Sequence, residues 1–298
     1  MRIIFSVLKL LVMIIDVIVK SARDLQQAYY LSYFGSQWRE DGHVVRVVRA
    51  GSTDAPGDVG ILHIDLTHIE PWITDWAARY GRVVNGALTD ISKRAISRNL
   101  VVEHDAYSGP VIIKTDLNHG GKPERLASRE DGKAELLASA RRQIARRGGW
   151  RLVRQLPPGD YPVLESKSEV PAWVWRTKSL VVERFCPERQ GAHYVTRIWV
   201  FFGAREYGRK EVSCLPTGRA NRTIERVLDG FVPAEVRAFR AELGMDFGKI
   251  DWVYHAGKPV VFAANKTPAR FLIPAGDDLR LMYDLSQGLF DMVGRDAT

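Results

Sequence analysis

The sequence predicts a mixed α/β protein, in which a parallel α/β layer is followed by a strand-rich α+β half. Over residues 10–88, apolar β-branched runs alternate with helical stretches, which is typical of a doubly wound layer. After residue 180, apolar runs follow one another with few helices between them, which favours antiparallel sheets. The 46% hydrophobic and 26% charged residues of the 298-residue chain are ordinary for a globular protein.

In the first layer, each predicted strand is followed by a helical or turn-rich stretch. Strands are predicted at Val12–Val19, His43–Val48 and Asp58–Ile64, and helices at Asp24–Arg39 and Pro71–Tyr80. This alternation predicts parallel strands, because parallel neighbours need crossover connections.

The remainder of the chain predicts more strands than helices. The predicted strands are Val111–Ile113, Leu180–Phe185, Val195–Phe202, Ile250–Tyr254 and Val260–Ala263, and the predicted helices are Ala134–Arg147, Pro233–Leu243 and Asp278–Val293. A turn at Ala256-Gly257 joins two of the strands into a hairpin. We expect two lobes that hold a ligand between antiparallel sheets.

The amino-terminal residues 3–19 are apolar except for Ser6, Lys9 and Asp16. The segment is short for a membrane helix, each internal charge would cost about 2.5–3.5 kcal/mol there, and no cleavage site for a signal peptide follows. We expect a buried strand in a soluble, cytoplasmic protein. Peripheral membrane contact by this segment is the alternative.

Charge and cysteine content narrow the classes further. The chain has 43 basic and 35 acidic residues, a net charge of +8, which suits a phosphorylated or acidic ligand. No zinc-finger spacing or RNA-binding signature accompanies the basic residues, so nucleic acid is not an expected partner. The two cysteines, Cys186 and Cys214, form no disulfide framework and fit a reducing compartment.

The first candidate motif is a lysine at the end of a strand, followed by a glycine loop. Lys114 ends the run Val111–Lys114, and Asn118-His119-Gly120-Gly121 follows. Adjacent glycines let backbone N–H groups approach phosphate oxygens without hindrance from Cβ. The pattern is not a P-loop, and an ordinary strand-to-loop turn is the alternative.

The second motif is an apolar strand with acids at its end. Glu183 could accept a hydrogen bond from an adenine amino group, and Glu188 could accept from ribose hydroxyls. A buried strand with charged ends is the alternative. Arg197 lies inside an apolar strand, where an inward guanidinium requires an anion; an outward-facing arginine is the alternative there.

The third motif is the hairpin that carries Asp251 on one strand and Asn265 on the next. Two side-chain oxygens close together could hold Mg²⁺, which completes its coordination with water and phosphate. The sequence therefore predicts a magnesium position at this hairpin.

In this order, these motifs resemble the ATP-grasp superfamily, and in particular the carboxylate–amine ligases that include D-alanine–D-alanine ligase, glutathione synthetase and the ribosomal-protein glutamate ligases. The most specific part is Ile250-Asp251 followed by the hairpin into Asn265-Lys266-Thr267-Pro268. The resemblance implies a pre-ATP-grasp α/β domain over residues 1–88, a small lobe over 89–180 and a carboxyl-terminal lobe over 181–298.

The resemblance also implies roles for individual residues. ATP phosphates would contact Lys114, the loop Asn118–Gly121 and a second basic residue, either Lys93 or Arg98. Glu183 and Phe185 would contact adenine, and Glu188 the ribose. Arg197 would lie near the γ-phosphate as the catalytic residue, and Asp251 and Asn265 would bind Mg²⁺.

One position departs from the family pattern, whose last strand reads acid-x-Asn. Ala263 stands two residues before Asn265, so a metal-bridging carboxylate is missing. The resemblance implies a ligase that activates a small-molecule or peptide carboxylate as an acylphosphate for attack by an amine. The alternatives are a degenerate protein that binds nucleotide or a partner without turnover, and another ATP-dependent phosphotransferase. Homo-oligomerisation stays open.

Overall fold

The computed structural model describes residues 12–21, 24–25, 28–127, 132–157, 160–216, 223–269 and 277–294. The strands are β1 (Ile14–Val19), β2 (Val44–Arg49), β3 (Val59–Leu62), β4 (Val83–Val84), β5 (Val111–Thr115), β6 (Val163–Leu164), β7 (Leu180–Arg184), β8 (Glu188–Gln190), β9 (His193–Phe202), β10 (Arg205–Ser213), β11 (Thr223–Leu228), β12 (Phe247–His255) and β13 (Lys258–Asn265). The α-helices are α1 (Tyr30–Glu40), α2 (Pro71–Ala77), α3 (Lys93–Ile96), α4 (Lys122–Ala127), α5 (Gly132–Ile144), α6 (Trp150–Val153), α7 (Ala172–Trp175), α8 (Ala234–Leu243), α9 (Asp277–Ser286) and α10 (Gly288–Val293).

The first four strands form the parallel sheet that the alternation of elements predicts. Its order is β2-β1-β3-β4, and each neighbouring pair is parallel. The central strand β1 is apolar except for Asp16, which is fully buried. Arg46 donates two hydrogen bonds of 2.6 Å to the Asp16 carboxylate, and Tyr80 Oη donates another of 2.9 Å. The charge inside the apolar segment is therefore paired within this sheet, as a buried carboxylate must be.

The rest of the chain forms two further sheets. A small sheet has the order β6-β5-β7, and a large antiparallel sheet has the order β11-β10-β9-β12-β13, with β8 beside β9. The mixed fold class, with an α/β layer before a two-lobed strand-rich half, is confirmed. The two closing helices, α9 and α10, return to the first layer, where Trp38 of α1 packs near Phe290 and Phe202.

A bulge in β13 changes which of its side chains lie on each face of the sheet. Asp251 pairs with Ala263, but the next residue, Trp252, pairs with Val261, so Phe262 is the extra residue. A bulge of this kind reverses the alternation of side chains along the bulged strand. Residues on both sides of it therefore reach the same face of the sheet.

The expected segment boundaries at 88 and 180 stay a prediction. The three sheets follow those segments except at β7, which begins at Leu180 and pairs with β5 of the small sheet. Among the described residues, no helix is both long and apolar enough to cross a membrane. Residues 1–11 of the apolar amino-terminal segment lie outside the described residues.

Candidate functional site

A cavity of about 320 Å³ lies between the small sheet and the large sheet, and we call it the interlobe cavity. Its size falls within the range of small-molecule sites, about 300–1,000 Å³. Nine of the residues predicted from sequence line it: Lys93, Lys114, Asn118, His119, Glu183, Phe185, Glu188, Asp251 and Asn265. The cavity therefore brings together Lys93 and side chains from three motifs, which are up to 172 residues apart in sequence.

Lys114 and Glu183 form a buried ion pair in the wall of the small sheet. Lys114 Nζ lies 2.5 Å from Glu183 Oε2, and both side chains are buried. Their strands, β5 and β7, are hydrogen-bonded neighbours, which fixes both side chains on one face. The other carboxylate oxygen, Glu183 Oε1, is buried and has no hydrogen-bond partner among the described residues. A buried acceptor without a donor is costly, so this oxygen is a place where a ligand donor would bind.

Lys93 is the second basic residue of the cavity wall. It begins the short helix α3, after Ser92, whose hydroxyl accepts a hydrogen bond from the Ala95 N–H. Only 6% of Lys93 is exposed. Burial, with repulsion from Lys114 as a smaller cause, lowers the pKa of Lys93 to about 8. Its charged form therefore lacks full compensation and would gain from an anion in the cavity.

Arg98, the other candidate for that role, lies elsewhere. It forms an exposed ion pair with Glu242 of α8 and is outside the cavity wall. The geometry therefore favours Lys93 as the upstream phosphate ligand.

The glycine loop folds as a tight turn between β5 and α4. His119 has φ of 47°, and Gly120 and Gly121 have φ of 66° and 67°, so three residues in a row are left-handed. Two glycines at such positions avoid the strain that a Cβ would impose. The turn brings Asn118 and His119 into the cavity wall, whereas Gly120 and Gly121 lie outside it. Burial, followed by the Lys249 charge, lowers the pKa of His119 and so favours the neutral ring.

Phe185 and Glu188, which are expected to contact adenine and ribose, already make hydrogen bonds within the protein. Phe185 lines the cavity, but its backbone N–H donates to Pro110 O at 2.9 Å. The Glu188 carboxylate already accepts from the guanidinium of Arg197 at 2.8 Å and from the backbone N–H of Tyr254 at 2.7 Å. A ribose hydroxyl would have to share the Glu188 carboxylate oxygens with these donors.

Arg197 does not agree with its expected place beside the γ-phosphate. Its guanidinium pairs with Glu188 and Asp229, and lies over the rings of Trp252 and Tyr254 at 5.4 Å and 5.1 Å from the ring centres. Alternation along β9 sends Thr196 and Ile198 to the cavity wall and Arg197 to the opposite face. The outward reading of this arginine therefore fits the geometry better than the inward one.

Two other arginines, Arg184 and Arg209, line the cavity, and Arg209 lies on β10. It lies opposite Ile198 in the strand register, is 2% exposed, and lies 3.1 Å from Glu211. Sequence reasoning missed it because residues 205–213 carry many charges and were not predicted as a strand. The alternation of Tyr207, Arg209 and Glu211 with smaller or outward residues is the signal that could have found it.

Asp251, Ala263 and Asn265 lie in the part of the cavity wall that β12 and β13 form. Asp251 lies opposite Ala263, and Lys249 lies opposite Asn265, in the pairing of β12 with β13. Lys249 Nζ is 3.0 Å and 2.9 Å from the two carboxylate oxygens of Asp251.

The Asn265 side chain is also engaged. Its Oδ1 accepts from the backbone N–H of Thr267 at 2.9 Å and from the Thr267 hydroxyl at 3.2 Å. Its Nδ2 lies 2.9 Å from His119 Nε2, which suits an amide that donates to a neutral imidazole. Asn265 therefore ties the glycine loop to the end of β13.

No protein-family model matches the chain, and no curated protein matches it in sequence. Solved structures do match. The ATP-grasp ligase PsnB, complexed with a minimal precursor, aligns with 94% of this chain and 98% of its own at a TM-score of 0.50 and 12% identity. The chain has the ATP-grasp fold. This is the fold that the ordered motifs predict.

Two further ATP-grasp structures align over similar lengths. A RimK-domain ATP-grasp protein from Sphaerobacter thermophilus gives a TM-score of 0.49 at 13% identity, with 92% of this chain and 98% of that one covered. The D-alanine–D-alanine ligase from Bacillus anthracis, complexed with ATP, gives 0.40 at 11% identity, with 95% and 100% covered. At 12% identity, the similarity to PsnB shows the fold and not the reaction.

The magnesium that the ATP-grasp resemblance implies does not fit the donor set of this chain. Ala263 supplies no oxygen, Lys249 holds both oxygens of Asp251, and Asn265 Oδ1 is turned toward Thr267. Mg²⁺ prefers carboxylate oxygens and water, and an ammonium group competes directly with it for Asp251. Within the described residues, no group of three or more His, Cys, Asp or Glu side chains could hold a metal ion.

Proposed function

We propose that this chain binds ATP in the interlobe cavity and uses it to join a carboxylate to an amine. The observation that carries the proposal is the pair of buried lysines, Lys93 and Lys114, in a cavity wall that also holds an unpartnered oxygen of Glu183. Buried ammonium groups favour a bound anion, and a buried carboxylate oxygen favours a hydrogen-bond donor. A nucleotide offers both, since its phosphates are anions and the adenine amino group is a donor.

The wall of the cavity is built to hold the base as well as the phosphates. Ile112, Val260 and Phe262 line it, and the Phe262 ring centre lies 5.1 Å from Lys114 Nζ. Apolar and aromatic side chains can enclose a flat ring, while a few polar groups fix its orientation. We assign the adenine to this apolar part, and the phosphates to the region of Lys93, Lys114 and Arg209.

In the proposed reaction, a carboxylate oxygen attacks the γ-phosphorus, the bond to the β-phosphate oxygen breaks, and ADP leaves. An amine nitrogen then attacks the acyl carbon, loses a proton and displaces inorganic phosphate. The part of the protein is to position the reactants and to balance charge on the phosphates. The ligases that share this fold support the reaction class, and the substrate is open.

Hydroxylamine trapping tests the chemistry without knowledge of the amine. The protein is incubated with ATP, hydroxylamine and pools of amino acids, peptides and other carboxylates. An acylphosphate gives a hydroxamate together with ADP and phosphate, and Lys114→Ala should abolish the signal. ATP binding without hydroxamate or ADP from any pool would contradict the ligase proposal.

A second function, nucleotide binding without turnover, is favoured by one observation. Asp251 faces Ala263 rather than a second acid, and its carboxylate is held by Lys249. The variant Ala263→Asp separates the two functions. A sharp rise in ATP hydrolysis from near zero would support the binder, whereas ATP consumption with a substrate by the natural chain would exclude it.

A further inference from the structure

Lys249 lies where the ATP-grasp pattern leads one to expect a metal ion. Lys249 and Asp251 are two residues apart on β12 and therefore on the same face of the sheet, and this face lines the interlobe cavity. Across the strand pair, they lie opposite Asn265 and Ala263. The ammonium group contacts Asp251, and the same strand pair holds the other two positions at which the ATP-grasp pattern offers metal ligands.

The positive charge of Lys249 suits a strand pair in which Ala263 stands in place of a second carboxylate. Two carboxylates directly opposite each other on neighbouring strands repel, unless a cation lies between them. With alanine at 263, only the Asp251 carboxylate remains, and one ammonium group neutralises it. Lys249 does so at 2.9–3.0 Å to both oxygens, with 12% of its side chain exposed to the cavity.

We infer that Lys249 takes the place of a protein-bound magnesium ion at this strand pair and presents its positive charge to the nucleotide phosphates. A lysine ammonium binds phosphate as a compact point charge, and it needs no carboxylate cage. The absence of the acid at 263 is then matched by the presence of a cation at 249. This inference rests on the proposed binding of nucleotide in the cavity.

The first test measures nucleotide affinity by isothermal titration of ATP and ADP into the wild-type chain, with excess EDTA or with MgCl₂. We expect affinities that agree within about threefold, because the fixed cation does not depend on added metal. Lys249→Met should weaken binding in EDTA by about tenfold or more, the loss expected for one charged contact. Lys258→Met is the matched control, since Lys258 begins the other strand of the same hairpin and is exposed. Its affinity should equal that of wild type.

The second test needs no nucleotide. Free Mn²⁺ is followed by electron paramagnetic resonance during titration into wild type and into the double variant Lys249→Met with Ala263→Asp. Wild type should show no site at the strand pair, and the double variant should bind Mn²⁺ at least about tenfold more tightly.

The outcomes distinguish a failure of the proposed role of Lys249 from a failure of the proposed nucleotide binding. Mn²⁺ binding by wild type that Asp251→Asn removes, or a tenfold dependence of ATP affinity on Mg²⁺ in wild type, would overturn the role of Lys249 and leave ATP binding intact. No binding of ATP or ADP under either condition would instead overturn the proposed function, and the inference with it. If Lys249→Met does not fold, the nucleotide affinities of wild type with and without Mg²⁺ still test the role of Lys249.

Discussion

Replacing Lys93 with methionine is expected to make the protein more stable while it weakens nucleotide binding. Lys93 is 6% exposed and lies beside Lys114 in the cavity wall. Methionine keeps most of the length of the side chain and removes the charge that burial disfavours. A residue that destabilises the fold and is kept in a cavity is typical of a binding function.

The magnitude follows from the pKa of Lys93, which is lowered from 10.5 to about 8. Below pH 8 the folded protein keeps a lysine charge that costs about 3 kcal/mol relative to the unfolded chain. The cost declines as pH rises from 8 to 10.5, because the folded protein has then released this proton, and it disappears above 10.5, where the unfolded chain has released it too. The gain from Lys93→Met should therefore be about 3 kcal/mol at pH 7 and should disappear above pH 10.5.

Urea unfolding at pH 7 and at high pH measures this directly, with equal m-values as the check on two-state behaviour. Lys178→Met is the control, since Lys178 is exposed, and it should change the free energy of unfolding by less than about 0.5 kcal/mol. A Lys93→Met variant that is no more stable than wild type at pH 7 would refute the argument from burial.

The other predictions concern the same cavity and its surroundings. Nucleotide affinity should fall as pH rises above about 8, because Lys93 loses its proton; titration calorimetry across pH checks this, and Lys93→Arg should flatten the profile. Lys114→Ala should weaken ATP binding and destabilise the fold by about 3 kcal/mol, since buried Glu183 loses its cation; a fluorescence unfolding curve with unchanged midpoint would contradict this. Lys266→Met should stabilise the fold by about 3 kcal/mol at pH 7, because burial lowers the pKa of Lys266 to about 8, and thermal unfolding tests this. The same variant should not change ATP affinity in calorimetry, because Lys266 lies outside the cavity wall. Arg197→Met should cost about 2 kcal/mol of stability and leave ATP affinity nearly unchanged, and a large loss of affinity would return Arg197 to the phosphate site.

The sequence predicts the first layer well because its signals are local. Apolar β-branched runs at β1, β2 and β3 stand between turn residues, and the parallel sheet follows from their alternation with helices. The predicted helix at Asp24–Arg39 begins too early, since α1 starts at Tyr30. Residues 26–27 lie outside the described residues.

The site is predicted less completely because strand faces depend on register. Lys114, Glu183 and Asp251 follow from motifs that carry their own spacing. The sequence predicts Arg197 at the cavity, but Arg209 lines it instead, because no local signal states which face of β9 meets the cavity. In the loop after Cys214, the basic residues Arg219 and Arg222 could by sequence orient an acidic substrate or an acylphosphate, and they lie outside the described residues.

The bulge at Phe262 has a consequence for how this cleft can change over evolutionary time. Val260 and Phe262 precede the shift, Ala263 and Asn265 follow it, and all four line the cavity. A strictly alternating strand could present only one of these two pairs. Side chains at each position can therefore be exchanged one by one, as Ala263 illustrates, whereas the number of residues between Val260 and Asn265 cannot vary. Loss of a single residue there would turn either Val260 and Phe262 or Ala263 and Asn265 away from the cavity.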